Sequence, residues 1–119
     1  FAPCALSSDI NWESAGQIKA KLICGIANNQ LESPEINDEL MKKGILYVPD
    51  YLSNAGGLIN VADELEEGGY NKERVMERIK NLPVIFEEIF QTAKKENVSF
   101  VELANRLAEQ RFKNGKRNK

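Results

Sequence analysis

The residues with the most to offer chemically are three consecutive amides, Asn28, Asn29 and Gln30. Each can both donate and accept hydrogen bonds, which recognition of a carboxamide or a carboxylate requires. They follow an apolar run, Lys21-Leu22-Ile23-Cys24-Gly25, by way of Ile26 and Ala27. Two other apolar runs end in similar company. Cys4-Ala5-Leu6 leads into Ser7-Ser8, and Tyr47-Val48 leads through Pro49-Asp50-Tyr51 to Asn54-Ala55-Gly56-Gly57. Small residues let a flat ligand approach the backbone. Read as parallel strands, the three runs place their carboxyl ends where open α/β sheets bind ligands.

Each of these features also has a purely structural reading. Asn28 and Asn29 are ordinary turn formers, and Asn54 is an ordinary helix N-cap. Gly56-Gly57 can serve close helix–strand packing. Leu58 and Val61 read by default as core. Asp63 and Glu64 diverge on a helix surface and read as a solvated face, not a carboxylate pair. From spacing alone the reading stops at an α/β domain with a nucleotide-type crevice.

Composition removes several chemistries. The chain has 119 residues and no His, which excludes His-based triads, His metal sites and the commonest general base. With only two cysteines, Cys4 and Cys24, a zinc site and a disulfide scaffold are both disfavoured. Both sit in apolar runs and are expected to be buried free thiols, in keeping with a cytoplasmic protein. No apolar run approaches the roughly 20 residues of a membrane span, and no signal-peptide pattern is present. Net charge is −2, but five of the 16 basic side chains fall after residue 110 and none of the 18 acidic ones do. The remaining acidic body argues against a nucleic-acid or anionic-membrane surface. The basic end reads as a solvated terminus. An apolar run beginning at Phe1 without an initiating Met suggests a chain cut from something larger.

The elements that must position these residues follow from periodicity. Residues 2–6, 21–25 and 44–49 are short continuous apolar runs, the signature of strands buried on both faces of a parallel sheet. Residues 9–18 are weakly helical. Ser33-Pro34-Glu35 marks a helix start, with Leu40 and Met41 inward and a stop at Lys42-Lys43-Gly44. A helix opens at Asn54 and runs to about Leu65, with Leu58, Val61, Ala62 and Leu65 on one face. A longer one spans about 71–96, its stripe made by Val75, Ile79, Leu82, Phe86, Ile89 and Ala93, with Pro83 dividing or kinking it near Leu82. A last helix starts at Ser99, with Glu102 completing a capping box, a staple between Val98 and Leu103, and Val101, Ala104, Leu107 and Ala108 inward. The expected fold is α/β: a partial Rossmann-like, doubly wound parallel sheet of about three strands, followed by C-terminal helices.

Three stretches together resemble the glutamate/leucine/phenylalanine/valine amino-acid dehydrogenases, leucine dehydrogenase above all. They are Phe1-Ala2-Pro3-Cys4-Ala5-Leu6, Ala27-Asn28-Asn29-Gln30-Leu31, and the long run from Tyr47-Val48-Pro49-Asp50-Tyr51 through Ala62-Asp63-Glu64-Leu65. Their order and spacing fit, and the resemblance covers residues 1 to about 112. It implies a C-terminal fragment of such an enzyme: residues 1–112 as the later half of the NAD-binding domain with its terminal helices, and 113–119 as a disordered basic tail. It also implies NAD as cofactor, an amino acid and its 2-oxo acid as substrates, a missing N-terminal catalytic domain and a homo-oligomer. Cys4, Ala5, Leu6 and Asn28 would contact the cofactor. Asn29 would contact the substrate, and Leu58 and Val61 its side chain across an interdomain cleft. An apolar pocket floored by them favours branched aliphatic substrates.

The departures carry information too. No G-x-G-x-x-G occurs, so the family's pyrophosphate anchor is absent. The family's two active-site lysines belong to its N-terminal domain and have no counterpart here; Lys19 and Lys21 read as solvated. No catalytic residue and no metal ligand is therefore assigned, and the chain is expected to be inactive alone. The competing reading is a non-catalytic α/β interaction module that retains half a nucleotide-binding fold. In either case half a parallel sheet exposes an edge and apolar faces, so self-association is expected.

Overall fold

The computed structural model describes residues 1–115. Its elements, in chain order, are α1 (Trp12–Gln17), β1 (Leu22–Ile23), α2 (Ile36–Lys42), β2 (Leu46–Tyr47), α3 (Asp50–Ser53), α4 (Ala55–Ala62), a 3-10 turn (Asp63–Leu65), α5 (Lys72–Lys80), α6 (Leu82–Glu96) and α7 (Phe100–Gly115). β1 and β2 pair in parallel, Leu22 opposite Leu46 and Ile23 opposite Tyr47. The crossover between them is α2, which ends at Gly44 with a positive φ of 70° that glycine adopts without steric cost.

The sheet has two strands among the described residues, not about three. Residues 2–6 run beside β1 without becoming a strand. The terminal amine donates to Leu22 O (2.9 Å), Cys24 N–H to Phe1 O (3.0 Å) and Ala27 N–H to Pro3 O (3.1 Å). Pro3 has no N–H to return, so the ladder cannot continue through it. The segment lies very close to β1: a Cβ at Gly25 would fall 2.1 Å from Pro3 O. That contact, more than any turn, explains a glycine at position 25.

Side-chain alternation divides the core between the two sheet faces. Ile23, Ile45 and Tyr47 join Ile10, Ala15, Ile36 and Leu40 on one face. On the other, Cys24, Leu46 and Val48 meet Ile89, Ala93, Phe100, Leu103 and Ala104 of α6 and α7. Phe86 and Phe100 tilt against each other there, with ring centroids 6.3 Å apart. Helices thus cover both faces, the layering expected of an α/β domain.

The helix boundaries repay comparison with the pattern. α1 is opened by a reciprocal cap that spacing did not reveal: Ser14 N–H donates to Asn11 Oδ1 (2.8 Å) and Asn11 N–H to Ser14 Oγ (2.9 Å). α2 begins at Ile36, one turn after Ser33, because 33–35 form a tighter turn and the Ser33 hydroxyl bonds Glu35 instead of a backbone N–H. The expected division near Leu82 falls at Asn81, with Pro83 in the first turn of α6. Asn97 ends α6 in the left-handed conformation (φ 55°), and Val98 N–H closes on Ala93 O (3.1 Å). Ser99 Oγ then accepts from Glu102 N–H (2.9 Å) at the head of α7. The inner face of α7 centres on Phe100, Leu103 and Ala104, while Ala108 is exposed. α7 reaches Gly115, so the expected disordered tail is helical over residues 113–115, and its remaining part lies outside the described residues.

Four burial expectations are corrected. Met41 is exposed and Leu40 alone faces inward from that pair. Cys4 is exposed and Cys24 half-buried, because residues 2–6 form the outer edge of the layer. Leu58, Val61 and Leu65 are 73%, 59% and 90% exposed, so their shared face is not core. Asp63, expected in solvent, is fully buried.

Candidate functional site

The three chain segments expected to end together do so, and polar bonds between them hold the assembly. Ser8 N–H donates to Asn29 O (2.7 Å), joining the N-terminal segment to the loop after β1. Asn29 sits at a positive φ of 50°, a region Asn tolerates better than most residues. There its N–H reaches Asp50 Oδ2 (2.5 Å) on the first residue of α3. Asp50 Oδ1 accepts from Tyr51 N–H (2.9 Å), so one carboxylate engages both the first turn of α3 and the β1 loop. Ser53 donates to Gly25 O (2.6 Å), and Asn54 Nδ2 to Asn28 Oδ1 (2.6 Å). The Asn54 side chain thus forgoes the expected cap of α4 and instead ties α4 to the amide loop.

Of the residues singled out by sequence, Cys4, Ala5, Leu6, Asn28 and Asn29 are gathered at this one end, all exposed. Gln30 separates from its neighbours. It is fully buried, its amide nitrogen donating to Ala27 O (2.9 Å) and its Oε1 left without a partner among the described residues. Leu58 and Val61 lie on α4, which leaves the same end from Asn54. A cleft of about 470 Å³ opens beside Asn29, with Tyr47, Asp50, Tyr51 and Asn105 in its wall. Tyr51 donates across it to Asn105 Oδ1 (2.6 Å), linking α3 to α7.

Burial, then the Asp50 carboxylate, pushes the Tyr47 phenol up to about 12, so it stays neutral near neutral pH. The same two causes raise Tyr51. Among the described residues no Lys or Arg lines the cleft, so they offer no counter-charge to a pyrophosphate. The exposed amides and the small residues of the N-terminal segment can instead hold a neutral, flat, polar group.

A second polar cluster lies at the far end of α4. Asp63 accepts from Asn71 N–H (2.7 Å), Arg74 Nε (2.6 Å) and Arg74 Nη2 (2.9 Å), and Arg78 approaches at 3.6 Å. Arg74 Nη2 also donates to Gly69 O (2.7 Å), and Arg78 pairs with Glu66 (2.7 Å). The Arg74 hydrogen bonds, with Asn71 N–H and both guanidinium charges, hold the Asp63 carboxyl below its usual range against the opposing effect of burial. Sequence reading missed this cluster and the double role of Asp50. An Asp preceded by Pro at a strand end was the signal for Asp50. Asp63 gave none, because only the fold brings Arg74 back to it.

The family model for Glutamate/Leucine/Phenylalanine/Valine dehydrogenase matches residues 1–119. The chain belongs to that family. It is 48% identical over 112 residues to a leucine dehydrogenase of Geobacillus stearothermophilus, covering 94% of this chain and 30% of that protein. It is 49% identical over 119 residues to a phenylalanine dehydrogenase of Bacillus thermotolerans, covering 99% and 31%. Among solved structures, L-tryptophan dehydrogenase from Nostoc punctiforme superposes with a TM-score of 0.88 at 45% identity, over 98% of this chain and 35% of that one. The chain thus spans about a third of the length of the relatives it matches.

Proposed function

We propose that this chain forms part of the cofactor-binding half of an NAD-dependent dehydrogenase acting on branched-chain L-amino acids such as leucine, and that it is inactive without the rest. The observation that carries the reading is the meeting of the three segment ends, held by Asn29 to Asp50 and by Asn28 to Asn54. That end presents hydrogen-bonding amides, small residues and the Asp50 carboxylate, and among the described residues no Lys or Arg lines its cleft. Cys4, Ala5, Leu6 and Asn28 would hold the carboxamide end of the cofactor. Asn29, fixed by Asp50, would orient the substrate at the reacting carbon. Leu58 and Val61, exposed on α4, would form the apolar wall that receives the substrate side chain. NAD, if held there by Cys4, Ala5, Leu6 and Asn28, would supply the acceptor for a hydride leaving the substrate's α-carbon. The residues of this chain supply orientation and water exclusion for that step. The base and the phosphate contacts come from outside it, and the intact protein works as a soluble, cytoplasmic homo-oligomer.

Titration of the chain with NADH, followed by fluorescence transfer or calorimetry, tests this reading. No binding is expected up to millimolar concentration, since the phosphates have no partner. Micromolar binding would instead favour an independent nucleotide-binding module.

A further inference from the structure

α4 is attached in an unusual manner. None of its residues is fully buried; Ala55, Gly56 and Ile59 are half-buried and the rest exposed, so apolar packing holds it only lightly. Polar ties add direction. Asn54 bonds Asn28 at its start (2.6 Å), Tyr70 OH donates to Asn60 Oδ1 near its middle (3.2 Å), and Asp63 receives the Arg74 fork at its end. Of these only Asp63 is fully enclosed, and only it receives a two-pronged charged contact. The fork acts on the turn as well, because Arg74 holds Gly69 O in a stretch where Gly68 and Gly69 both have positive φ. Arg74 therefore connects the last turn of α4, the glycine turn and the start of α5.

We infer that the Asp63–Arg74 pair is a positioning device that sets the tilt of α4 and thereby the depth of the pocket wall made by Leu58 and Val61. Leu58 and Val61 lie five and two residues before Asp63, within two turns of the anchored end. A small rotation about Asn54 moves them while leaving the Asn29–Asp50 contact in place. Arg74 touches neither substrate nor cofactor; it acts through α4. The inference rests on the proposal that α4 faces the substrate.

The test uses the complete dehydrogenase that carries this segment. Arg74→Lys keeps the charge and removes the fork. It is expected to raise KM for leucine and to change the leucine-to-valine preference in kcat/KM by about 5–10-fold, the scale of one methylene in an apolar pocket, while kcat changes by less than about 2-fold. Leu103→Ala, a core truncation on α7, serves as the control for lost stability and should leave the preference unchanged. Leu58→Ala tests the underlying reading and should shift the preference by itself. If Leu58→Ala shifts it and Arg74→Lys does not, the positioning role is overturned. A preference that moves equally in Leu103→Ala also overturns it, since general loosening would then be the cause. If Leu58→Ala leaves the preference unchanged, α4 does not face the substrate and both ideas fall together.

Discussion

Two helical regions of this molecule are secured by opposite means. The α6–α7 pair is held by apolar burial, with Ile89, Ala93, Phe100, Leu103 and Ala104 closed against one face of the sheet. α4 is tied at its ends by amides and an ion pair, with Ile59 half-buried and Leu58 and Val61 left outward. Apolar packing is non-directional and tolerates many arrangements of similar volume. A forked guanidinium–carboxylate contact has one geometry. Directional bonds therefore fix the angle of α4 more closely than apolar packing of similar extent would.

Four measurements would break or sharpen that contrast. The largest effect is expected from Leu103→Ala, which empties a site 1% exposed; denaturant unfolding should show a loss of about 2–5 kcal/mol. Next comes Asp63→Asn, which leaves Arg74 short of its carboxylate; calorimetry should give a thermal midpoint roughly 5–10 °C lower. The pH dependence has a definite sign. Because the folded state holds the Asp63 carboxyl below its ordinary value, its contribution is complete above the unfolded carboxylate range and disappears as pH falls through the lower folded value. The wild-type chain should therefore lose more stability on acidification than the Asn variant, and equal acid profiles would remove Asp63 as the cause.

Tyr47 provides the third, at the opposite end of the pH scale. Its phenol titrates near 12 when folded, above the usual value of about 10, so its contribution is intact below the unfolded value and is lost as pH rises through the folded one. An ultraviolet titration should show a late tyrosinate step that Tyr47→Phe removes. The smallest effect is expected at Leu58. Leu58→Ser, at a side chain 73% exposed, should change stability by no more than about 0.5 kcal/mol. A loss of 2 kcal/mol would show α4 to be packed like α6 and would end the contrast.

Periodicity made the apolar region legible. The stripe through Val75, Ile79 and Ile89, the break beside Pro83 and the cap at Ser99 all correspond to observed features. The same reasoning failed on α4, where Leu58, Val61 and Leu65 have helical spacing but no cover within this chain. It failed again for residues 2–6, whose apolar character suggested a strand that Pro3 does not permit. At the candidate site, the amide loop was visible as residue types at a strand end. Its bracing by Asp50 was not, since that bond joins residues 21 apart in sequence. Asp63 looked solvated because its partner lies 11 residues on, beyond a glycine turn no local pattern spans. Apolar burial leaves a repeating mark in sequence, and a single directional bond does not.

The left-handed corner at Asn97 has a temporal meaning. It folds α6 back against α7, so the contacts of that hairpin are short in sequence and quick to form. Yet the hairpin is synthesised after both strands. While the ribosome is still making it, β1 and β2 already exist with one face covered by α1 and α2 and the other bare. Leu46 and Val48 must wait, exposed, for residues 82–107 to emerge and close over them. For that interval the nascent chain is most prone to aggregation and most in need of a chaperone.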